Sequence, residues 1–197
     1  MAPKVELSVL HAELAAPIAA LLNDYRVWRP LSDIVPYPYT EKDAQDFIAC
    51  VSREGSPLRN TFAVRADGQL AGLVGYQLGE LNKSHIATVG YWYGQTFWGR
   101  GIATAALRLL LEKVASDPQV RRVEASVFAF NEASQRVLEK CGFVREAVLK
   151  EALSKEGKLY DEVVFHWVGD SEIERVPCFP PMGWKNEEAK TTKGNRR

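Results

Sequence analysis

The stretch Gly94-Gln95-Thr96-Phe97-Trp98-Gly99-Arg100-Gly101-Ile102-Ala103-Thr104 has the spacing of an anion-binding turn. Gly99 and Gly101, one residue apart and just ahead of a helical pattern, let the backbone bend sharply. Several N–H groups and the positive end of the helix then converge on one point, the chemistry of a phosphate cradle. No Gly-Lys-Ser/Thr follows, which excludes a P-loop, and the third glycine and later acidic residue of a dinucleotide fingerprint are missing. Without a ligand the same spacing is an ordinary glycine-rich turn, and both readings stay open on spacing alone. Other reactive residue types are sparse. His11, His85 and His166 form no helical metal pair, and Cys50, Cys141 and Cys178 have neither Cys-x-x-Cys nor Cys/His ligand spacing. No metal, no structural disulfide and a reducing, cytoplasmic compartment are expected.

The elements that must position this turn follow from periodicity. Val5 to Leu10 alternates as a strand, and His11 to Asn23 repeats Leu14, Ile18, Leu21 and Leu22 at helical spacing. Asn23 to Thr40 is irregular and aromatic. Its length and its Trp28, Tyr37 and Tyr39 suit a wall or lid better than a connector. Thr40, with Asp43 three residues on, starts a helix to about Arg53. Thr61 to Arg65 and Gln69 to Gln77 flank Asp67-Gly68 as a hairpin, and Ile86 to Tyr93 is the next strand. Ile102, Ala103, Ala106, Leu107, Leu110, Leu111 and Val114 place an apolar stripe on a helix from Gly101 to Ser116. Arg122 to Phe128 is a strand, Asn131 to Lys140 a short helix closed by Gly142, and Phe143 to Leu153 and Leu159 to Val168 are the last strands around Glu156-Gly157. The fold class is α+β, one mixed sheet with helices on both faces.

With 197 residues, 46% of them hydrophobic, the chain can bury one full core, so one domain over residues 1–170 is expected, followed by a Pro-containing, basic tail over 171–197 that frays. The 25 Lys/Arg balance the 25 Asp/Glu, which argues against nucleic acid or a membrane surface as partner. Ala12 to Leu22 is too short to span a bilayer and contains Glu13 and Pro17. Monomer and homodimer are both compatible with this composition.

Trp98-Gly99-Arg100-Gly101-Ile102-Ala103-Thr104 resembles the acetyl-CoA pyrophosphate loop of the GNAT superfamily, in the form common among ribosomal-protein N-terminal alanine and serine acetyltransferases. Asn131-Glu132-Ala133-Ser134, with the later Cys141-Gly142-Phe143, resembles the second signature of that branch, and Pro36-Tyr37-Pro38-Tyr39-Thr40 its early substrate-side loop. The similarity covers roughly residues 5–168. It implies a mostly antiparallel central sheet with splayed central strands, and an N-acetyltransferase that uses acetyl-CoA as acyl donor. The acceptor would be a primary amine, a protein N-terminus or a small molecule, attacking directly in a ternary complex. Backbone amides of Gly99, Arg100, Gly101, Ile102, Ala103 and Thr104 would hold the pyrophosphate, with Trp98 at the first motif position and charge from Arg100 at the rim. The pantetheine arm would lie against main chain near Tyr91, Trp92 and Tyr93, and Asn131 would hydrogen-bond its amides. Ser134 would donate to the departing thiolate, so no cysteine nucleophile is needed. Trp28, Asp33, Tyr37 and Tyr39 would shape the acceptor pocket, and Asp33 with Glu80 would attract a cationic amine.

The sequence departs from this pattern where a base is expected. The two positions that are often glutamate in the relatives are Thr88 and Leu153. Glu80, His85, Glu151 and Asp161 are the remaining candidates for taking the amine's proton, together with bulk water. Taken singly, Asn131 is also a good helix N-cap and Ser134 an ordinary polar surface residue. Two rival functions follow: a non-catalytic acyl-CoA-binding or sensor module whose missing glutamates reflect lost catalysis, and a nucleotide-phosphate binder unrelated to CoA.

Overall fold

A computed structural model describes residues 2–167. The tail beyond, with Val168 and Cys178, lies outside the described residues. Seven strands form one sheet in the order β1-β2-β3-β4-β5-β7-β6. They are β1 (Val5–Ser8), β2 (Thr61–Ala66), β3 (Gln69–Leu78), β4 (Ile86–Tyr93), β5 (Arg122–Phe128), β6 (Phe143–Lys155) and β7 (Lys158–Trp167). Five α-helices accompany them: α1 (Ala15–Leu22), α2 (Tyr25–Trp28), α3 (Glu41–Ser52), α4 (Ile102–Ala115) and α5 (Glu132–Lys140). All neighbouring strands run antiparallel except β4 and β5. The expected order of elements holds, with two refinements. The first helix opens with a 3₁₀ turn over Ala12–Leu14, and the aromatic loop contains the short helix α2, capped by Asp24 through its bond from the Arg26 N–H.

Two cores sandwich the sheet. On one side, Ile18 and Leu22 of α1 and Ala44 and Ile48 of α3 pack on Ala63 and Leu73. On the other, the α4 stripe of Ile102, Ala106, Leu107, Leu110, Leu111 and Val114, with Leu138 of α5, packs on Val64, Val74, Val89, Ala125 and Phe165. Strand alternation assigns the faces: Ala87, Val89, Tyr91 and Tyr93 of β4 belong to the α4 side, while Thr88, Gly90 and Trp92 face the other way. The helix α3 begins at the capping box expected from Thr40 and Asp43, each side chain bonded to the other's backbone N–H.

The feature that matters for function is where β4 and β5 stop pairing. Only Ile86, Ala87 and Thr88 face Arg122, Val123 and Glu124. Beyond Thr88 the two strands separate while each keeps its outer neighbour, β3 or β7. Their inner edges are left with main-chain N–H and C=O groups lacking a strand partner, which must be met by something else. The gap opens toward the carboxyl ends of β4 and β5, where the glycine turn lies.

Candidate active site

Gly99 and Gly101 adopt φ of +71° and +77°, and a Cβ built on either meets nothing within 4 Å. Glycine is required there by backbone conformation rather than crowding. Gly101 is the N-cap of α4 and no side chain bonds to the cap, so the first-turn N–H groups are open to a ligand. The Trp98 indole N–H donates to the Tyr93 carbonyl at 2.7 Å, which clips the turn to the end of β4. That carbonyl is therefore already engaged; the Gly94 N–H bonds the Ala71 carbonyl, so by alternation Trp92 bonds Leu73 of β3 and Tyr91 is the residue that turns its N–H and C=O toward the gap. Arg100 is half-exposed, with its guanidinium 3.9 Å from Asp67 and 5.9 Å from the Phe97 ring centroid.

Across the gap, Asn131 caps α5 by accepting the Ser134 N–H at 3.2 Å. The capping role read from the sequence is thus real, and it also fixes the first turn that holds Ser134. The Tyr91 hydroxyl lies 2.8 Å from Ser134 Oγ and 3.2 Å from the Ser134 carbonyl oxygen. Burial pushes the Tyr91 phenol well above its ordinary pKa, so it stays a neutral hydroxyl. The sequence points to Tyr91 only for its backbone; its side-chain bond to Ser134 carries no sequence signal, because only the packing of α5 on the sheet brings the two together. Cys141 is a buried filler whose Sγ approaches the Thr104 carbonyl at 3.5 Å.

The acceptor loop is pinned to the tip of the β6–β7 hairpin. The Lys155 side chain is only 1% exposed, and its ammonium lies 2.8 Å from Asp33 Oδ1. It also donates to the Leu31 carbonyl at 2.9 Å and sits 3.5 Å from the Trp28 ring centroid. Tyr25 donates its hydroxyl to Glu156 at 2.7 Å. Trp28, Tyr25 and Tyr37 pack together, with Tyr37 the more exposed and Trp28 buried. Arg29 lies 4.5 Å over Phe130, which joins Phe128 and Tyr160 in an aromatic cluster at the end of β5.

Two sequence expectations change here. Tyr39 does not line a pocket: it is buried in the α1–α3 core, its backbone is bonded to Asn23, and burial pushes its phenol up to about 12. Asp33 is paired with Lys155 and is not a free charge for a cationic acceptor. Lysine 155 was missed because a lysine in a hairpin tip reads as solvated; nothing in the sequence says that Trp28 covers it. Lys155→Met removes the ion pair and the cation–π contact. Because Asp33 is exposed, the stability loss is about 1 kcal/mol, a fall of roughly 2–4 °C in Tm. The loosened loop raises acceptor KM about tenfold with acetyl-CoA affinity unchanged, as steady-state kinetics and calorimetry would record.

The candidate bases scatter. Glu80 and His85 sit around the β3–β4 turn, where the Gly79 N–H meets the Ile86 carbonyl and the His85 carbonyl accepts from Arg121. That is the closed end of β4. At about 3.3 Å per residue, His85 is roughly 20 Å along the strand from Tyr91, so neither group reaches the Ser134 region. Glu151 is exposed at an irregularity of β6 with φ +52°, and its N–H donates to Asp161 at 3.1 Å. Asp161 also accepts from Lys150, and these bonds hold its carboxyl below the usual range, which makes it a poor proton acceptor. Thr88 faces Glu124 across the last paired position, and Glu124 is bonded to Arg122.

Among the described residues, no three His, Cys, Asp or Glu side chains converge as metal ligands, and no helix is long and apolar enough to cross a membrane. Residues 4–144 match the acetyltransferase (GNAT) domain family. The chain is 32% identical over 110 residues to the putative ribosomal N-acetyltransferase YdaF of Bacillus subtilis, covering 53% of this chain and 59% of that protein. It is 30% identical over 92 residues to the ribosomal-protein-serine acetyltransferase of Escherichia coli, covering 46% and 50%. The chain thus spans only half to three-fifths of the length of these two relatives. The fold is similar to that of Mycobacterium smegmatis RimJ in complex with CoA-disulfide, with a TM-score of 0.72, 24% identity, and coverage of 88% of this chain and 84% of that one.

Proposed function

Because the chain belongs to the GNAT acetyltransferases, we propose that it transfers the acetyl group of acetyl-CoA to a primary amine by direct attack in a ternary complex. The observation that supports this best is the gap between β4 and β5, with an uncapped glycine turn at its mouth and the Tyr91–Ser134 hydroxyl pair beside it. The residues fit the donor. The N–H groups of Gly99 to Thr104 would receive the pyrophosphate, and the unpaired inner edge of β4 would bond the pantetheine amides as a further strand does. Asn131, its Oδ1 used in capping, keeps its amide NH₂ for the pantetheine. Donation from Tyr91 to Ser134 Oγ would leave the serine's own proton for the sulfur as the C–S bond breaks. The thioester itself supplies the activated acetyl carbon. Trp28, Tyr37 and the loop pinned by Lys155 would form the acceptor side; the relatives' names favour an amine of a ribosomal protein, and the motif resemblance favours its N-terminal α-amine.

The non-catalytic rival draws on Thr88 and Leu153 standing where a glutamate base is usual. Calorimetry with acetyl-CoA, followed by thiol release across amines that include peptides with free and blocked N-termini, polyamines and amino acids, separates the two. Binding with turnover on an unblocked amine is the expected result. Binding without turnover on any amine would favour the sensor, and displacement of acetyl-CoA by ATP or NAD would favour a nucleotide site.

A further inference from the structure

The face of the sheet opposite α4 carries a hydroxyl–carboxylate pair at the wall of the gap, and we propose that it takes the proton the acceptor amine must lose. This rests on the acetyl-transfer reading and supplies the base that Thr88 and Leu153 do not. Thr88 and Glu124 form the last β4–β5 pair. Two residues further on the same face lie Gly90 on β4 and Ser126 on β5. A Cβ at Gly90 would meet nothing within 4 Å, so the space above it is open. Ser126 is exposed, and its hydroxyl donates to the Glu162 carboxylate of β7. Glu162 is itself the register partner of Phe128, whose ring packs on Phe130 and Tyr160, the cluster that Arg29 reaches from the acceptor loop. The pair therefore lies between the open gap and the acceptor wall.

Other charged groups around this face are already engaged. Arg122 bridges Glu124 and Glu146, and His166 Nδ1 lies 3.4 Å from Glu146. Lys150 holds Asp161, Arg29 covers Phe130, and β4 contributes only Thr88, Gly90 and Trp92. Glu162 has the serine hydroxyl as its bonded partner and a route through it to the open space. In the proposed step an ammonium N–H passes its proton to Ser126 Oγ as the Ser126 O–H proton passes to Glu162. The freed lone pair attacks the acetyl carbon, the C–S bond breaks, and the second amine proton balances the thiolate. Ser126 is the catalytic residue that touches the amine; Glu162 acts through it.

The test uses the full chain, acetyl-CoA and a free-amine peptide beginning with serine, or the fastest amine of the panel if that peptide is slower. With an α-amine of pKa near 8, Glu162→Gln lowers acceptor kcat/KM about 100-fold at pH 6.5, and the deficit shrinks as pH rises and free amine becomes abundant. Ser126→Ala behaves alike, Ser126→Thr restores most of the rate, and acetyl-CoA affinity is unchanged throughout. Wild-type rates in Glu162→Gln, or a loss that is equal at every pH, overturn the inference while leaving acetyl transfer standing. Absence of turnover by the unaltered chain with every amine overturns both.

Discussion

Replacing Gly101 with valine abolishes measurable acetyl-CoA binding while the protein stays folded. Gly101 sits at φ +77° as the cap residue of α4, a conformation that costs an L-residue about 1–2 kcal/mol and a β-branched one more. A Cβ at this position meets no atom within 4 Å, so the valine fits in the free protein and α4 keeps its packing on the core. The chain relieves the strain by rotating the peptide units on either side of residue 101, and the N–H groups aimed at the diphosphate turn away. Two hydrogen bonds to a charged group, each about 1.5–3 kcal/mol, are then lost, a drop of roughly 10²–10⁴-fold in affinity. The added methyl groups also occupy the approach of the diphosphate to the backbone. Calorimetry with acetyl-CoA reads the loss, and circular dichroism with a thermal melt confirms the fold. Gly101→Ala, with the same φ demand and less bulk, falls between the two. Affinity in Gly101→Val within threefold of the unaltered protein would remove the glycine turn from the donor site.

The turn could be read from the sequence because its physics is local. Two glycines with positive φ ahead of an apolar helical stripe need no knowledge of the rest of the chain, and Ile86–Tyr93, Arg122–Phe128 and the Thr40 cap were legible for the same reason. What could not be read was set by contacts across long separations. Lys155 meets Asp33 and Trp28 from more than a hundred residues away, and only the docking of the hairpin tip on the aromatic loop makes its burial possible. Tyr39 turns into the α1–α3 core rather than toward a pocket, and an aromatic in a long loop has no period to show which way it faces. Glu80 and His85 looked close to the cofactor strand because they precede it in sequence. A strand of eight residues, however, carries its two termini to opposite ends of the sheet. Ser126 and Glu162 are unremarkable in their own strands and become a pair only through β5–β7 register.

Ser134→Ala lowers kcat about 100-fold, the usual scale for a lost general acid, with the acetyl-CoA dissociation constant unchanged. Loss of one hydroxyl removes the proton that would meet the sulfur, whereas the donor is held mainly by the glycine turn and the edge of β4. Tyr91 decides whether that serine acts as a donor. Its phenol has one proton to share between Ser134 Oγ at 2.8 Å and the Ser134 carbonyl at 3.2 Å, and burial keeps that proton in place by raising the pKa. While Tyr91 donates to Oγ, the serine's own O–H is free to bond elsewhere. Tyr91→Phe leaves the ring and removes the bond, so the serine rotates among alternatives and kcat falls about tenfold. In a Ser134→Ala background the same phenylalanine has nothing left to misplace and changes kcat no further, a non-additivity that a double-mutant cycle measures directly. Because the raised phenol stays protonated, the wild-type rate shows no loss from Tyr91 ionisation as pH climbs to 10. Additive losses in the cycle would mean that Tyr91 supports the sheet rather than the serine. Full activity in Ser134→Ala would assign the sulfur's proton to water.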